Sequence, residues 1–370
     1  MQHDFLIIGG GVVGLSVAWE LASRGQSVCI VDRQEFGRAT SWVGAGIFPP
    51  ALAEAKHDAL EQLRHASHQL HVDWSQRLAT ETGIDNQLRK CGGIYIARDA
   101  GEAASLRVSM QLAADDGVVV EEFSISELIA AEPSLEPIAT EIKLAFRLPN
   151  EMQLRSPRHL KALTEACRKS GVAMMPNTPV TSLRVDGERV SSIETDTSAS
   201  LSAREIVLCC GPWIPELLAP VGFNLPVEPW RGQLILWKTK TRLVTHVINE
   251  GFRYLVPRED GHLLAGATVE DVGFDLTTTD DAVEELRAYS CSLVPALEQY
   301  EVARAWAGLR PKTPDGLPFM GRVPGFENLS IAAGHYRSGL HLSTGTAVFM
   351  ADLLLHDTPP TNALAFRLSR

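Results

Sequence analysis

A chain of 370 residues with 45% hydrophobic and 21% charged side chains has the make-up of a core-forming globular protein of about two domains. Its net charge of -11, with no basic stripe anywhere, argues against nucleic acid as a partner, because phosphate binding needs a basic surface. The first apolar run is too short to span a bilayer and begins too early for a cleaved leader, so no membrane span and a cytoplasmic location are expected.

Residues 5–8 form an apolar strand that runs into Gly9, Gly11 and Gly14 at G-x-G-x-x-G spacing. A helical stripe follows through Val13, Val17 and Leu21, and a second apolar strand, 28–31, ends on Asp32. This order of strand, turn, helix and strand is that of a dinucleotide-binding unit. Gly9 permits the tight turn, Gly11 lets a pyrophosphate approach the backbone, and Gly14 lets helix and strand pack closely. The N–H groups at the helix start, Val12 and Val13 among them, face the phosphates. Asp32, followed by Arg33, can accept hydrogen bonds from a ribose 2′-OH and would repel a 2′-phosphate, which selects FAD or NAD over NADP.

The next loop carries Thr40, Ser41, Gly44, Ala45, Gly46 and Ile47. Its small residues suit a second contact with a phosphate or ring; by composition it is equally an ordinary connection. Helical spacing returns over 58–82, with Gly83 as a stop, then a strand at 93–97 and helices at 101–114 and 126–131. A strand is expected at 142–148. Ser156 and Pro157 read as cap and first turn of a helix running to 170. Asp186-Gly187 marks a hairpin between 180–185 and 190–193. Strand 206–208 leads into Cys209, Cys210, Gly211, Pro212 and Trp213, where a glycine after a buried strand points to close approach of a ligand.

Residues 226–275 are strand-rich (232–237, 244–248, 254–256 and 262–269) and should form an antiparallel sheet with one covered face. After a helix at 282–291, strand 303–309 delivers Arg310 into a proline-containing turn. Strand 329–333 then meets a loop with Gly334, Arg337, Ser338, Gly339 and Leu340, and a largely apolar helix follows. This second arrangement of strand, glycine loop and helix is surplus to a simple NAD domain. It suits a larger cofactor with an electron-accepting ring. The six cysteines show no C-x-x-C pair and no metal spacing, so free thiols and no metal are expected. His335 and His341, six apart, read as structural.

With Gly9, Gly11, Gly14 and Asp32 at one end and GLRPKTPDGLPFMGR and GHYRSGL at the other, the chain resembles the D-amino-acid oxidase superfamily of flavoproteins, and within it the glycine oxidase group most. The segments RGQ (231–233), YLVPR (254–258) and GATVEDVGFD (266–275) carry the resemblance through the middle of the chain. It implies an α/β fold: a discontinuous Rossmann-like FAD-binding domain (1–85, 150–223 and 305–370) and a substrate-binding domain on an antiparallel sheet (86–149 and 224–304). It further implies pyrophosphate at the first helix, ribose at Asp32 and adenine near Val180. The loop after strand 206–208, with Cys210, Gly211 and Trp213, joins the cofactor site. The segments at 40–47 and 334–340 would hold the isoalloxazine. Tyr254 and Arg310 would hold the substrate carboxylate, with Arg337 beside flavin and substrate. Trp230, His341 and Ser343 depart from the family's pattern and bear on substrate choice. No cysteine follows Cys291, so FAD is expected to be held non-covalently.

The expected reaction is FAD-dependent oxidative deamination of a small amino acid or secondary amine: glycine, sarcosine or a D-amino acid. Hydride leaves the α-carbon for flavin N5, the imine hydrolyses to a 2-oxo acid and ammonia or amine, and oxygen is reduced to peroxide. No protein base is required if the amine arrives neutral. An amino-acid dehydrogenase passing electrons to a quinone or carrier is the alternative, and a non-catalytic dinucleotide sensor is disfavoured by Arg310 and Arg337. A structural ion pair remains the other reading of Arg310, since its guanidinium fork suits any carboxylate. Assembly into a homo-oligomer is left open.

Overall fold

The structure, a computed structural model, describes residues 3–51, 58–197, 200–356 and 363–370. Two large sheets divide the work. The first has six strands in the order Phe319–Arg322, Leu329–Ala333, Ala203–Leu208, His3–Ile8, Val28–Val31, Ala173–Met175. All its pairings are parallel except that of Phe319–Arg322. Its central strands read as continuous apolar runs because both faces are covered. Helices Val12–Ser23, Ala59–Thr82, Ser156–Lys169 and Gly339–His356 cover one face. The hairpin of Val180–Asp186 and Arg189–Thr195, with Ile214–Leu218, packs on the other. Strand His3–Ile8 has Val28–Val31 on one side and Ala203–Leu208 on the other, so chain order reverses there, and the crevice at the carboxyl ends is where an open α/β sheet takes its ligand.

The second sheet has eight strands: Val302–Lys312, Glu228–Lys238, His262–Gly266, Arg253–Pro257, Val247–Glu250, Gly93–Ala97, Leu144–Leu148 and Glu121–Glu122. It is antiparallel except where Val247–Glu250 lies parallel to Gly93–Ala97. Helix Asp280–Leu293 closes one face around Trp237, Leu255 and Leu286. The other face looks toward the first sheet.

Several expected bounds shift, for local reasons. Ser124 caps Ile125–Ala131 through a reciprocal bond set with Glu127. Ser156 does not cap its helix; Arg155 occupies that position, and the Ser156 hydroxyl donates to the Gly44 carbonyl. Strand His262–Gly266 stops short of residue 269, because Thr268 turns its hydroxyl to accept from the Gln233 N–H at 2.8 Å. Arg310 lies inside Val302–Lys312 and not beyond it, and the domain boundary expected at residue 305 cuts this strand. We propose that the second domain extends to Lys312.

Candidate active site

The first glycine loop has the shape its spacing requires. Gly9 has φ of 109°, and a Cβ there would lie 2.5 Å from the Cys209 carbonyl oxygen; one at Gly14 would lie 1.8 Å from that of Gly9. Gly14 therefore packs helix on strand and does not line the cleft. Gly11 begins the first helix without a side-chain cap, and no acid stands in the first turn. Ser41 Oγ accepts from the Val12 N–H at 2.9 Å, which leaves Val13 facing the cleft with its amide unclaimed by any cap. A helix start that opens on a cavity and carries no side chain at Gly11 fits a phosphate.

Two cavities meet at this loop, sharing Gly11, Thr40, Ser41, Cys209 and Gly211. The smaller, about 160 Å³, is lined by Asp32, Arg33, Val180, Cys210 and Trp213. Asp32 accepts from the Gly10 N–H at 2.6 Å and the Gln34 N–H at 2.9 Å. Burial raises its pKa, against the pull of those two bonds. Arg33 lies over the Trp213 ring, 3.8 Å from its centroid. The larger cavity, about 490 Å³, runs past Val12, Val13 and the loop at 45–47 to Tyr254, Arg310 and the residues from Gly334 to Leu340. The length of this double cleft and its two glycine loops fit an extended dinucleotide.

The loop at 40–47 is fastened on every side. Thr40 Oγ1 donates to the Leu309 carbonyl at 2.6 Å, Leu154 N–H donates to Gly46, and Arg258 donates to Ala45 at 2.6 Å and to Leu154 at 3.0 Å. Arg258 is buried without a touching carboxylate, and that burial pushes its pKa down to about 10. Neither Arg258 nor Ser156 was among the site residues read from sequence. Both act on backbone carbonyls, which leave no local signal in a sequence.

The second sheet supplies the floor. Trp230, Gly232 and Leu234 alternate on one face of their strand, as do Trp306, Gly308 and Arg310 on its neighbour, with Gly232 opposite Gly308. A Cβ on Gly232 would sit 2.2 Å from the Arg310 guanidinium, and one on Gly308 2.7 Å from Val43. Gly266, opposite Tyr254, likewise leaves room for that ring. Arg310 Nη1 donates to the carbonyls of Thr268 at 3.0 Å and Arg231 at 3.2 Å, and no carboxylate pairs with it among the described residues. Burial lowers its pKa; Tyr254 works against that and Arg337 with it. The structural acid pair belongs to Arg231 instead, bound to Glu270 at 2.6 Å and to Asp275. Arg337 is exposed at the rim, just after Tyr336, whose φ is 46°.

His335 and His341 are buried, and burial holds both well down, His335 at about 4, so each is a neutral ring in the wall. His341 stacks on Phe48 and the helix start there accepts His71 at the Leu340 and His341 carbonyls. Among the described residues no cluster could hold a metal, all six cysteines are free thiols, and no helix is long and apolar enough to cross a membrane.

A cleft of this form at the switch point of a parallel sheet, floored by an antiparallel one, defines a flavin-dependent oxidoreductase. The chain belongs to the FAD-dependent oxidoreductase family whose model matches residues 4–353. It is 35% identical to a glycine oxidase of Pseudomonas aeruginosa over 96% of this chain and 95% of that one. It is 31% identical to a glycine oxidase of Geobacillus kaustophilus, over 100% and 97%. A crystal structure of glycine oxidase from G. kaustophilus superposes with a TM-score of 0.93 at 30% identity, covering 100% of this chain and 99% of that one.

Proposed function

We propose that the protein oxidises a small amino acid or secondary amine, with glycine, sarcosine and small D-amino acids as the first candidates, and that oxygen takes the electrons. Bound FAD supplies the hydride acceptor and returns the electron pair to oxygen. Its pyrophosphate is assigned to the start of helix Val12–Ser23, its ribose to Asp32, and its ring to the clamped loop at 40–47 and to Gly334–Leu340. The likeness to glycine oxidases along nearly the whole chain supports the substrate class.

One observation carries the reading: Arg310, a half-buried guanidinium with no acid partner among the described residues, lines the larger cavity with Tyr254. A buried cation lacking an anion is costly, and a substrate carboxylate meets it with two parallel hydrogen bonds. Arg337 closes the rim above. A carboxylate held by Arg310 and Tyr254 would set the substrate's α-carbon against the ring of bound FAD. Hydride would leave the α-carbon of the neutral amine, so no protein base is needed, and water would hydrolyse the resulting imine to a 2-oxo acid and ammonia or an amine. A panel of amino acids assayed in parallel for peroxide and for dye reduction tests this. Peroxide formed with glycine or sarcosine is the expected result; dye reduction without peroxide would favour a dehydrogenase, and neither signal would end the proposal. No observation favours a covalent link to FAD or a particular oligomer.

A further inference from the structure

Tyr254 does not stand alone on the sheet face that floors the larger cavity. Across the strands, Tyr254 lies opposite Asn249, and Asn249 opposite Tyr95. Residues in lateral register share a face and lie about 5 Å apart per strand, which places Tyr95 about 10 Å from Tyr254. Tyr95 and Asn249 both line the cavity. Behind them sits Glu151, 0% exposed, in a space that exists because residue 93 is glycine; a Cβ there would lie 2.4 Å from its carboxyl. Tyr95 Oη donates to Glu151 Oε2 at 2.5 Å, and Asn249 Nδ2 donates to Oε1 at 3.4 Å.

These bonds fix the polarity of the wall. When Glu151 is ionised, Tyr95 aims its only O–H at the carboxylate, so its hydroxyl has only lone pairs left for the cavity. Asn249 turns its amide nitrogen to the acid and keeps its carbonyl for the cavity. Among the described residues no cation pairs with Glu151: Arg147 and His246, which pack against Gly92, are engaged by Glu121 and Glu132. The Cys91 thiol lies against the Glu151 backbone carbonyl. Arg253 also lines the cavity but is drawn to Glu285 and over the Tyr289 ring. This end of the cavity therefore offers acceptors backed by an unpaired acid, while the Arg310 end offers donors.

We propose that Tyr95 and Asn249, positioned by Glu151, form a second subsite that takes an N–H donor at the end of the substrate remote from its carboxylate. The substrate class is an amino acid whose side chain or N-substituent ends in an ammonium or amide. Glycine, with amine and carboxylate one carbon apart, leaves this subsite empty. The inference rests on Arg310 as the carboxylate anchor.

The test titrates holoenzyme at pH 8, where Glu151 is ionised, with carboxylates that are not oxidised, and follows the visible absorbance of the flavin. The probes are acetate, 5-aminopentanoate and hexanoate; the last two are matched in length, one ending in ammonium and the other in methyl. Wild type should prefer 5-aminopentanoate by roughly tenfold, the value of a hydrogen bond to a charged group. Glu151→Gln should reduce the ratio to near one and Tyr95→Phe should lower it, while acetate binds all three proteins alike. Equal affinity for the two long probes in wild type, or a preference that survives both substitutions, overturns the subsite and leaves the carboxylate anchor standing. Acetate failing to perturb wild-type flavin would instead sink the anchor and the subsite with it. If one variant does not retain FAD, the other still carries the comparison.

Discussion

Arg310 is a half-buried cation and Glu151 a fully buried acid in one wall, and neither is paired with the other or with any described neighbour of opposite charge. If Arg310 meets the substrate carboxylate, Arg310→Ala removes a desolvated pairing worth about 3 to 5 kcal/mol, and kcat/KM should fall roughly a hundredfold to a few thousandfold. FAD content should hold, Arg310→Lys should recover part of the loss, and an amine without a carboxylate should react poorly but equally in both proteins. Loss of FAD, or equal damage to both substrates, would return Arg310 to a structural role. Gly232→Ala offers a second approach, since its Cβ would displace the guanidinium without altering charge; KM should rise while FAD stays bound. Glu151 carries a different signature. Burial raises its pKa from 4.5 to about 7, with the bonds from Tyr95 and Asn249 pulling back. The folded protein thus holds a proton there that the unfolded chain has released, so stability is fully present below pH 4.5 and is lost as pH rises through 7. At about 1.4 kcal/mol per unit this is on the order of 3 kcal/mol. Glu151→Gln should therefore raise the Tm of the protein at pH 8 and leave it nearly unchanged at pH 4.5, as scanning calorimetry in two buffers would show. An equal shift at both pH values would mean that Glu151 titrates as an ordinary acid.

At the scale of elements, the three glycines of the first loop serve different ends, and substitution should separate them. Gly14→Ala drives a Cβ into the Gly9 backbone at 1.8 Å, which nothing can relieve, so it should cost the fold itself. Gly11 has φ of -76°, open to any residue, and the nearest atom to a Cβ is the rotatable Ser41 hydroxyl at 3.1 Å. Gly11→Val should then give folded, colourless protein, because the branched side chain occupies the phosphate's place. Gly187→Ala, in a hairpin with nothing within 4 Å, should stay yellow. Circular dichroism and flavin absorbance together distinguish the three; a yellow Gly11→Val would remove the phosphate role. That loop was legible in the sequence because its demands are local, set by spacing within one strand, turn and helix. The loops at 40–47 and 334–340 were legible as glycine clusters, and the ring-holding role proposed for them came from the resemblance. Tyr95, Asn249 and Glu151 were not legible. They come together only through the parallel pairing of Val247–Glu250 with Gly93–Ala97, strands some 150 residues apart whose register no local pattern declares. Gly232, Gly266 and Gly308 likewise looked like ordinary strand residues until their neighbours across the sheet were known.

For the whole molecule, the proposed cofactor site lies where the two sheets face each other. The double cleft begins at the carboxyl ends of the parallel strands and ends on the floor of the antiparallel sheet, so FAD lying in it would touch both. Ligand that binds only the folded state stabilises it by mass action, about 2.7 kcal/mol at a hundredfold excess over Kd. Stripped protein should therefore melt lower than holoprotein, and its Tm should climb with added FAD. This linkage is measurable only if FAD leaves intact, and the cysteines bear on that. Cys209 and Cys210 are the thiols lining the cleft, both at the end of strand Ala203–Leu208. Burial raises Cys209 far above the usual thiol range and Cys210 to about 12, so both stay protonated and are poor nucleophiles toward a flavin ring. Acid precipitation should leave a yellow supernatant containing FAD of unaltered mass and a colourless pellet. Colour retained by the pellet would mean a covalent bond, with Cys209 the first residue to substitute, and the Tm of stripped protein would then have no meaning as an apo value.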